Sequence, residues 1–153
     1  MAKRTDENRQ LLKILESVDF FEKLKVGQLE QLIEKIKKLS VPKGRTVIKE
    51  GEPGDAFYMI SSGKVSIWHK KSLFNKDIFL TDQGPGEFFG EMALVTNHPR
   101  SATVVAETSC DFYVLYRNDF KEILMKNPNI SGMIEKALRN RQVRSTQKRS
   151  EGK

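Results

Sequence analysis

Cysteine is nearly absent from these 153 residues: Cys110 stands alone. Without an intrachain partner it excludes a disulfide framework and a thiolate metal cluster, and it reads as a small buried or half-buried residue beside a strand. Histidine is almost as scarce. His69 and His98 lie far apart in sequence and lack the spacing of a histidine and carboxylate metal centre. No nucleophile–base arrangement accompanies them, so catalysis and a bound metal are not expected. Apolar runs are short as well. None approaches the ~20 residues needed to span a bilayer, and the start MAKRTDENRQ leads into no signal-peptide core. A cytoplasmic location is the expectation.

What is present describes one globular domain, long enough to bury a core. The net charge of +7 suggests nucleic acid until it is located. From Lys136 onward, seven basic residues face Glu151 alone and supply six of those charges. The body is nearly neutral, so the basic end reads as a solvated tail and nucleic acid is not the expected partner.

Periodicity divides the chain into helices, a β body and helices again. Residues 6–18 place Leu11, Leu12, Leu15 and Val18 at helical spacing. Residues 28–39 carry the cleanest apolar stripe, Leu29, Leu32, Ile33, Ile36 and Leu39, and predict a single helix. After Pro42 the pattern alternates. Residues 46–50, 56–61, 64–70, 77–81, 102–107 and 111–116 read as strands separated by turn signals, which suggests an antiparallel sandwich, jelly roll or barrel. Trp68 reads as a surface or helix-packing aromatic, and His69 as a strand-end residue. Residues 118–125 and 130–144 return to helical spacing, with a break at Asn127-Pro128-Asn129.

One stretch, 84–104, GPGEFFGEMALVTNHPRSATV, carries chemistry. Gly90 lets backbone approach a ligand, and the turn that follows presents unpaired N–H groups. Arg100 adds an always ionised planar fork suited to phosphate. Glu91 would be repelled by that anion unless it meets hydroxyls instead. The stretch therefore reads as a site for a ligand bearing both a phosphate and a hydroxyl, while His98 reads as a turn residue.

That run of glycine, glutamate, apolar residues and alanine, then proline, arginine, a small residue, alanine, threonine and valine, resembles the phosphate-binding cassette of the cyclic nucleotide-binding domain family. IKEGEPGDAFYMI and GKVSIW agree with it in order and distance, and the resemblance extends over residues 20–144. Residues 1–19 form a helical lead-in and 145–153 a basic polar tail. The resemblance implies a mainly β fold with flanking helices. Its centre is an antiparallel β roll or jelly roll (double-stranded β-helix), with N-terminal helices, a short cassette helix and C-terminal B and C helices. It looks closest to bacterial domains, including those of cyclic-nucleotide-gated potassium channels.

It also implies roles. Arg100 would pair with the cyclic phosphate, helped by the backbone at Phe89, Gly90, Glu91 and Ala93 and by the Ser101 hydroxyl. Glu91 would accept from the ribose 2′-OH. Val65, Ile67 and Met92 would form the apolar wall for the base. The last helix would close as a lid, with Leu138 covering the base and Arg141 capping it, or Arg139 in a neighbouring register. The ligand implied is cAMP or cGMP. Serine at 101 reaches a syn guanine yet also occurs in cAMP-binding relatives, so the choice between them stays open.

A transcription regulator of the catabolite activator type is not expected, because the 37 residues after Tyr116 leave no room for a winged helix. Two readings of the output remain. Met1 and the polar end fit a free-standing receptor that signals to a protein effector through its last helix and basic tail, with a homodimer allowed. Otherwise the chain is a regulatory domain cut from a larger channel, kinase or transcription regulator, and a degenerate domain that binds no nucleotide is the remaining alternative.

Overall fold

The computed structural model describes residues 2–18, 21–22, 24–71 and 76–128, together with 132 and 136. The chain opens with helix α1 (Ala2–Ser17) and helix α2 (Val26–Lys35). Strands β1 (Lys37–Val41), β2 (Thr46–Ile48), β3 (Ala56–Ser62), β4 (Val65–Lys71), β5 (Lys76–Gln83) and β6 (Phe88–Phe89) follow. A 3₁₀ helix (Glu91–Leu94), strands β7 (Thr103–Ala106) and β8 (Cys110–Tyr116), and helix α3 (Arg117–Lys126) complete the described elements.

The strands form two four-stranded antiparallel sheets, ordered β1-β8-β3-β6 and β2-β7-β4-β5. Their inner faces share one core. Ala56 and Ile60 of β3, with Phe112 and Val114 of β8, meet Val65, Val104 and Ala106 of the other sheet there. The intervening residues of the same strands, Phe57, Met59, Tyr113 and Leu115, point the opposite way into a second core. That core is completed by Leu11, Leu15, Leu29, Leu32 and Phe120 of the helices. Strict alternation along β3 and β8 thus makes their sheet a wall between two hydrophobic layers. The second sheet is wetter: at its edge, Phe79 and Leu80 of β5 are half exposed. The helices are tied to the wall by polar bonds too. The Gln10 amide donates to Ser61 O at 2.9 Å, and its carbonyl accepts from Ser61 Oγ at 2.9 Å and from Tyr113 Oη at 3.0 Å.

This is the β roll expected, with two differences of detail. The helix expected over 28–39 stops at Lys35, and residues 37–41 leave it to pair with β8, Leu39 facing Phe112 across the ladder. Only Leu29 and Leu32 of the predicted stripe are buried, while Leu39 is 39% exposed. The helical spacing of Leu39 is a coincidence that a strand-forming partner overrides. The two-residue strand β6 is too short to leave any periodic signal. Cys110 is buried at the start of β8. The expected helix over 130–144 lies outside the described residues. Among the described residues, no helix is long and apolar enough to cross a membrane.

Candidate functional site

A cavity of about 670 Å³ opens where the 3₁₀ helix and the loop after it meet β4, β5 and β7. Residue 90 is glycine for two reasons. Its φ of 81° is left-handed, and a Cβ there would stand 2.6 Å from Arg100 Nη1. The Ala93 N–H donates to Gly90 O at 3.1 Å and the Val95 N–H to Met92 O at 3.2 Å, which closes the turn, while Thr96 Oγ1 donates to Met92 O at 2.9 Å. The Ala93 amide is therefore already engaged. The backbone contact expected of Ala93 thus involves an amide that the turn already uses.

Arg100 organises the site. Its side chain is buried, at 9% exposure. Nη2 donates to Ala56 O at 2.8 Å and Nη1 to Gly90 O at 3.4 Å. The guanidinium carbon lies 5.9 Å from the centre of the Tyr58 ring. Tyr58 itself stacks on Phe89 at 5.2 Å. Among the described residues, no carboxylate lies within ion-pairing distance of Arg100. Burial pushes its pKa below the ordinary guanidinium range, opposed by attraction to Tyr58 and Asp55, yet a guanidinium keeps its proton in proteins. Burial also raises the Tyr58 hydroxyl, and the Arg100 charge pulls it back. The result is a desolvated cation held by two neutral carbonyls, with further N–H donors on its fork.

The backbone of Arg100 is held as firmly as its head group. Gly51 N donates to Arg100 O and Arg100 N to Glu52 O, both at 2.8 Å, and Pro53 and Pro99 form an isolated antiparallel bridge. The turn 51–54 is thereby stapled to the cassette loop. Gly54 is buried, and a Cβ on it would meet Arg100 Nε at 2.4 Å. Arg117, the first residue of α3, fastens the assembly from behind by donating to Gly54 O and to Asn97 Oδ1.

Most of the residues anticipated from the sequence converge here. Ile67, Phe89, Gly90, Glu91, Met92, Ala93, Arg100 and Ser101 all line the cavity. Val65 does not: it is fully buried in the core between the sheets, one alternation from Ile67, and backs the wall without facing the cavity. Leu138, Arg141 and Arg139 lie outside the described residues. His98, read as a turn residue, sits on the cavity wall, as do Ile48, Gln83, Phe88, Thr96 and Val104. Of these, Ile48 and Val104 had a signal available, since they pair across β2 and β7 in alternating strands. Trp68 faces away from the cavity as expected, with its ring edge on Phe79 at 5.4 Å and its indole N–H on Ser66 Oγ at 2.7 Å. His69, expected at a strand end, lies inside β4 opposite Ile78 of β5, and its Nδ1 lies against Glu50 Oε1. Among the described residues, no group of three or more histidine, cysteine or acidic side chains is placed to hold a metal.

Comparison with known proteins places the site in context. The profile of the Cyclic nucleotide-binding domain matches residues 38–127. A cyclic nucleotide-gated potassium channel of Mesorhizobium japonicum is 32% identical over 123 residues, covering 80% of this chain and 32% of the channel. A cAMP-dependent protein kinase regulatory subunit of Eremothecium gossypii is 36% identical over 138 residues, covering 88% of this chain and 28% of the subunit. The chain therefore spans about a third of the length of these curated relatives. Among solved structures, the regulatory domain of Toxoplasma gondii PKA with cAMP superposes with a TM-score of 0.69 at 30% identity, covering 77% of this chain and 44% of that one.

Proposed function

Because the chain belongs to the cyclic nucleotide-binding domain family, we propose that it is a non-catalytic receptor for cAMP or cGMP, with the cavity beside Arg100 as its binding site. The observation that carries this reading is the buried Arg100 guanidinium, which faces a cavity and has no carboxylate partner among the described residues. A desolvated cation of this kind gains most from an anion delivered in a fixed position, and its fork suits two phosphate oxygens. Glu91, on the same turn, serves the ribose 2′-OH as acceptor, and the Ser101 hydroxyl adds a neutral donor to the phosphate. Ile67, Met92 and Val104 provide apolar surface for the base, in keeping with ligand pockets that are mostly apolar with a few placed polar groups.

The output belongs to the same proposal. Bound nucleotide draws the segment carrying Leu138 and Arg141 (or Arg139) over the base, and that differential contact shifts the segment's equilibrium for a protein effector. The family resemblance supports this part. Truncation after Pro128 then weakens binding and removes ligand-induced compaction.

Calorimetry with cAMP and cGMP on the wild type and on Arg100→Ala tests the receptor reading. Charge-assisted bonds contribute on the order of 1.5–3 kcal/mol each. Loss of two such bonds in Arg100→Ala weakens binding on the order of 100-fold or more. Failure of the wild type to bind either nucleotide would sink the proposal.

A further inference from the structure

The ladder between β4 and β7 stops short of the end of β4. Thr103 of β7 stands opposite Trp68, and among the described residues the ladder goes no further, although β4 runs on to Lys71. The chain that would have continued it is the segment just before β7. That segment carries Arg100 and Ser101, and it leaves the sheet to line the cavity. Glu50 stands in the gap. Its N–H donates to Thr103 Oγ1 at 3.0 Å, its Oε2 accepts from the Lys70 N–H at 3.1 Å, and its Oε1 lies against His69 Nδ1. The side chain is only 16% exposed, and Oε1 is out of contact with solvent. A carboxylate withdrawn this far from water is held in place by its donors.

We infer that Glu50 is a positioning residue for the phosphate grip, closing the open end of the ladder so that the 51–54 turn is fixed against Arg100. The inference rests on the receptor reading and adds to it a residue that does not line the cavity. The link is short. The next residue, Gly51, donates its N–H to Arg100 O, and Glu52 O accepts from the Arg100 N–H, both at 2.8 Å. Gly54, at the end of the same turn, lies so close to the Arg100 side chain that a Cβ would overlap it. Whatever fixes Glu50 therefore fixes the place from which the turn addresses Arg100. Charge alone predicts the opposite effect. A carboxylate on the flank of an anion site repels the anion, so an electrostatic role would make removal of Glu50 strengthen binding. The sign of the mutational effect separates the two.

The test measures cAMP and cGMP affinity by calorimetry on the full chain, at a temperature where each variant is folded as judged by its denaturant midpoint. Glu50→Ala should bind the better ligand about 5- to 30-fold more weakly than the wild type, although it removes a negative charge. Glu50→Gln removes the same charge and should restore affinity to within about threefold of wild type. Its amide carbonyl still accepts from the Lys70 N–H, and its NH₂ donates to His69 Nδ1 in the other tautomer of the ring. Thr103→Val takes away the acceptor of the Glu50 N–H at nearly the same shape and should cost about 3- to 10-fold, a result that stands even if Glu50→Ala fails to fold. If the wild type binds and Arg100→Ala abolishes binding, wild-type or tighter affinity in Glu50→Ala or in Thr103→Val overturns this inference alone. So does a Glu50→Gln protein that binds as weakly as Glu50→Ala. Absence of wild-type binding to both nucleotides overturns the receptor reading and this inference together.

Discussion

Replacing Gly54 with alanine is expected to weaken cyclic nucleotide binding, although Gly54 does not line the cavity. A Cβ on Gly54 would lie 2.4 Å from Arg100 Nε, 2.6 Å from Cζ and 2.8 Å from Cδ. Ordinary contact begins near 3.4 Å, so the guanidinium must retreat by about 1 Å. Its path is restricted. Nη2 is bonded to Ala56 O at 2.8 Å, and Nη1 is packed against Gly90 closely enough to exclude a methyl group there. A shift of about 1 Å stretches the Ala56 bond beyond useful range and moves the fork out of register with a phosphate held by the cassette turn. Losing one charge-assisted bond, roughly 1.5–3 kcal/mol, corresponds to about 10- to 100-fold in affinity. Overpacking also costs stability, typically about 1–3 kcal/mol. Calorimetry with cAMP should therefore be run at a temperature where the variant is folded, as judged by its denaturant midpoint. Gly27→Ala is the matched control, since it lies in α2 with open space around it and no strained φ. A folded Gly54→Ala protein that binds within twofold of wild type would refute the reasoning, because the guanidinium would then be free to adapt.

Two further outcomes follow from the fold. Phe57 is fully buried, packs at 6.1 Å from Phe21 and 5.5 Å from Phe88, and joins the helical layer to the sheet, so Phe57→Ala should lower unfolding free energy by about 3–5 kcal/mol. A loss under about 1 kcal/mol in urea titration would contradict the two-core arrangement. Asp111 ties three strands by accepting from Ser40 Oγ at 2.6 Å and Ser62 Oγ at 2.9 Å, and these bonds, Ser40 first, hold its carboxyl below the ordinary 3.8. Because the folded value is the lower one, its contribution is present above about pH 3.8 and fades as pH falls through the folded value. Thermal melts of wild type and Asp111→Asn should differ most near neutrality and converge in acid, and a gap that widens on acidification would count against this account.

How much of this was legible in the sequence depended on whether the cause was local. The strands of the roll announce themselves through β-forming apolar residues between turn signals, in near-continuous runs along β3 and β8, which bury both faces, and in alternation along β7, which buries one. The cassette is legible because Gly90, Glu91 and Arg100 act through a contiguous loop. Residues 37–41 misled because Leu39 continues a helical spacing by accident, and only pairing with β8 decides their state. Gly54 left no trace of its role. It belongs to a turn signal like any other until the staple at 51–54 brings it against an arginine 46 residues away. Gln83 and His98 reach the cavity through the way β5 ends and the loop after the 3₁₀ helix returns, which spacing alone does not encode. Val65 and Ile67 were assigned to one wall by the family resemblance, yet depth separates them: one is core and the other lining.

The stapled turn bears on protein engineering. The cassette loop looks like a portable cartridge, a run of some twenty residues that could be spliced into any β scaffold to confer anion affinity. The grip is in fact discontinuous. The floor beneath the guanidinium comes from Gly54 and Ala56, its ceiling from Gly90, and its brace from Arg117 at the start of α3. A graft of residues 84–104 alone would transfer the charge without the mould that shapes it. A transplantable version has to carry the 51–56 turn and the head of α3 as separate inserts held in register.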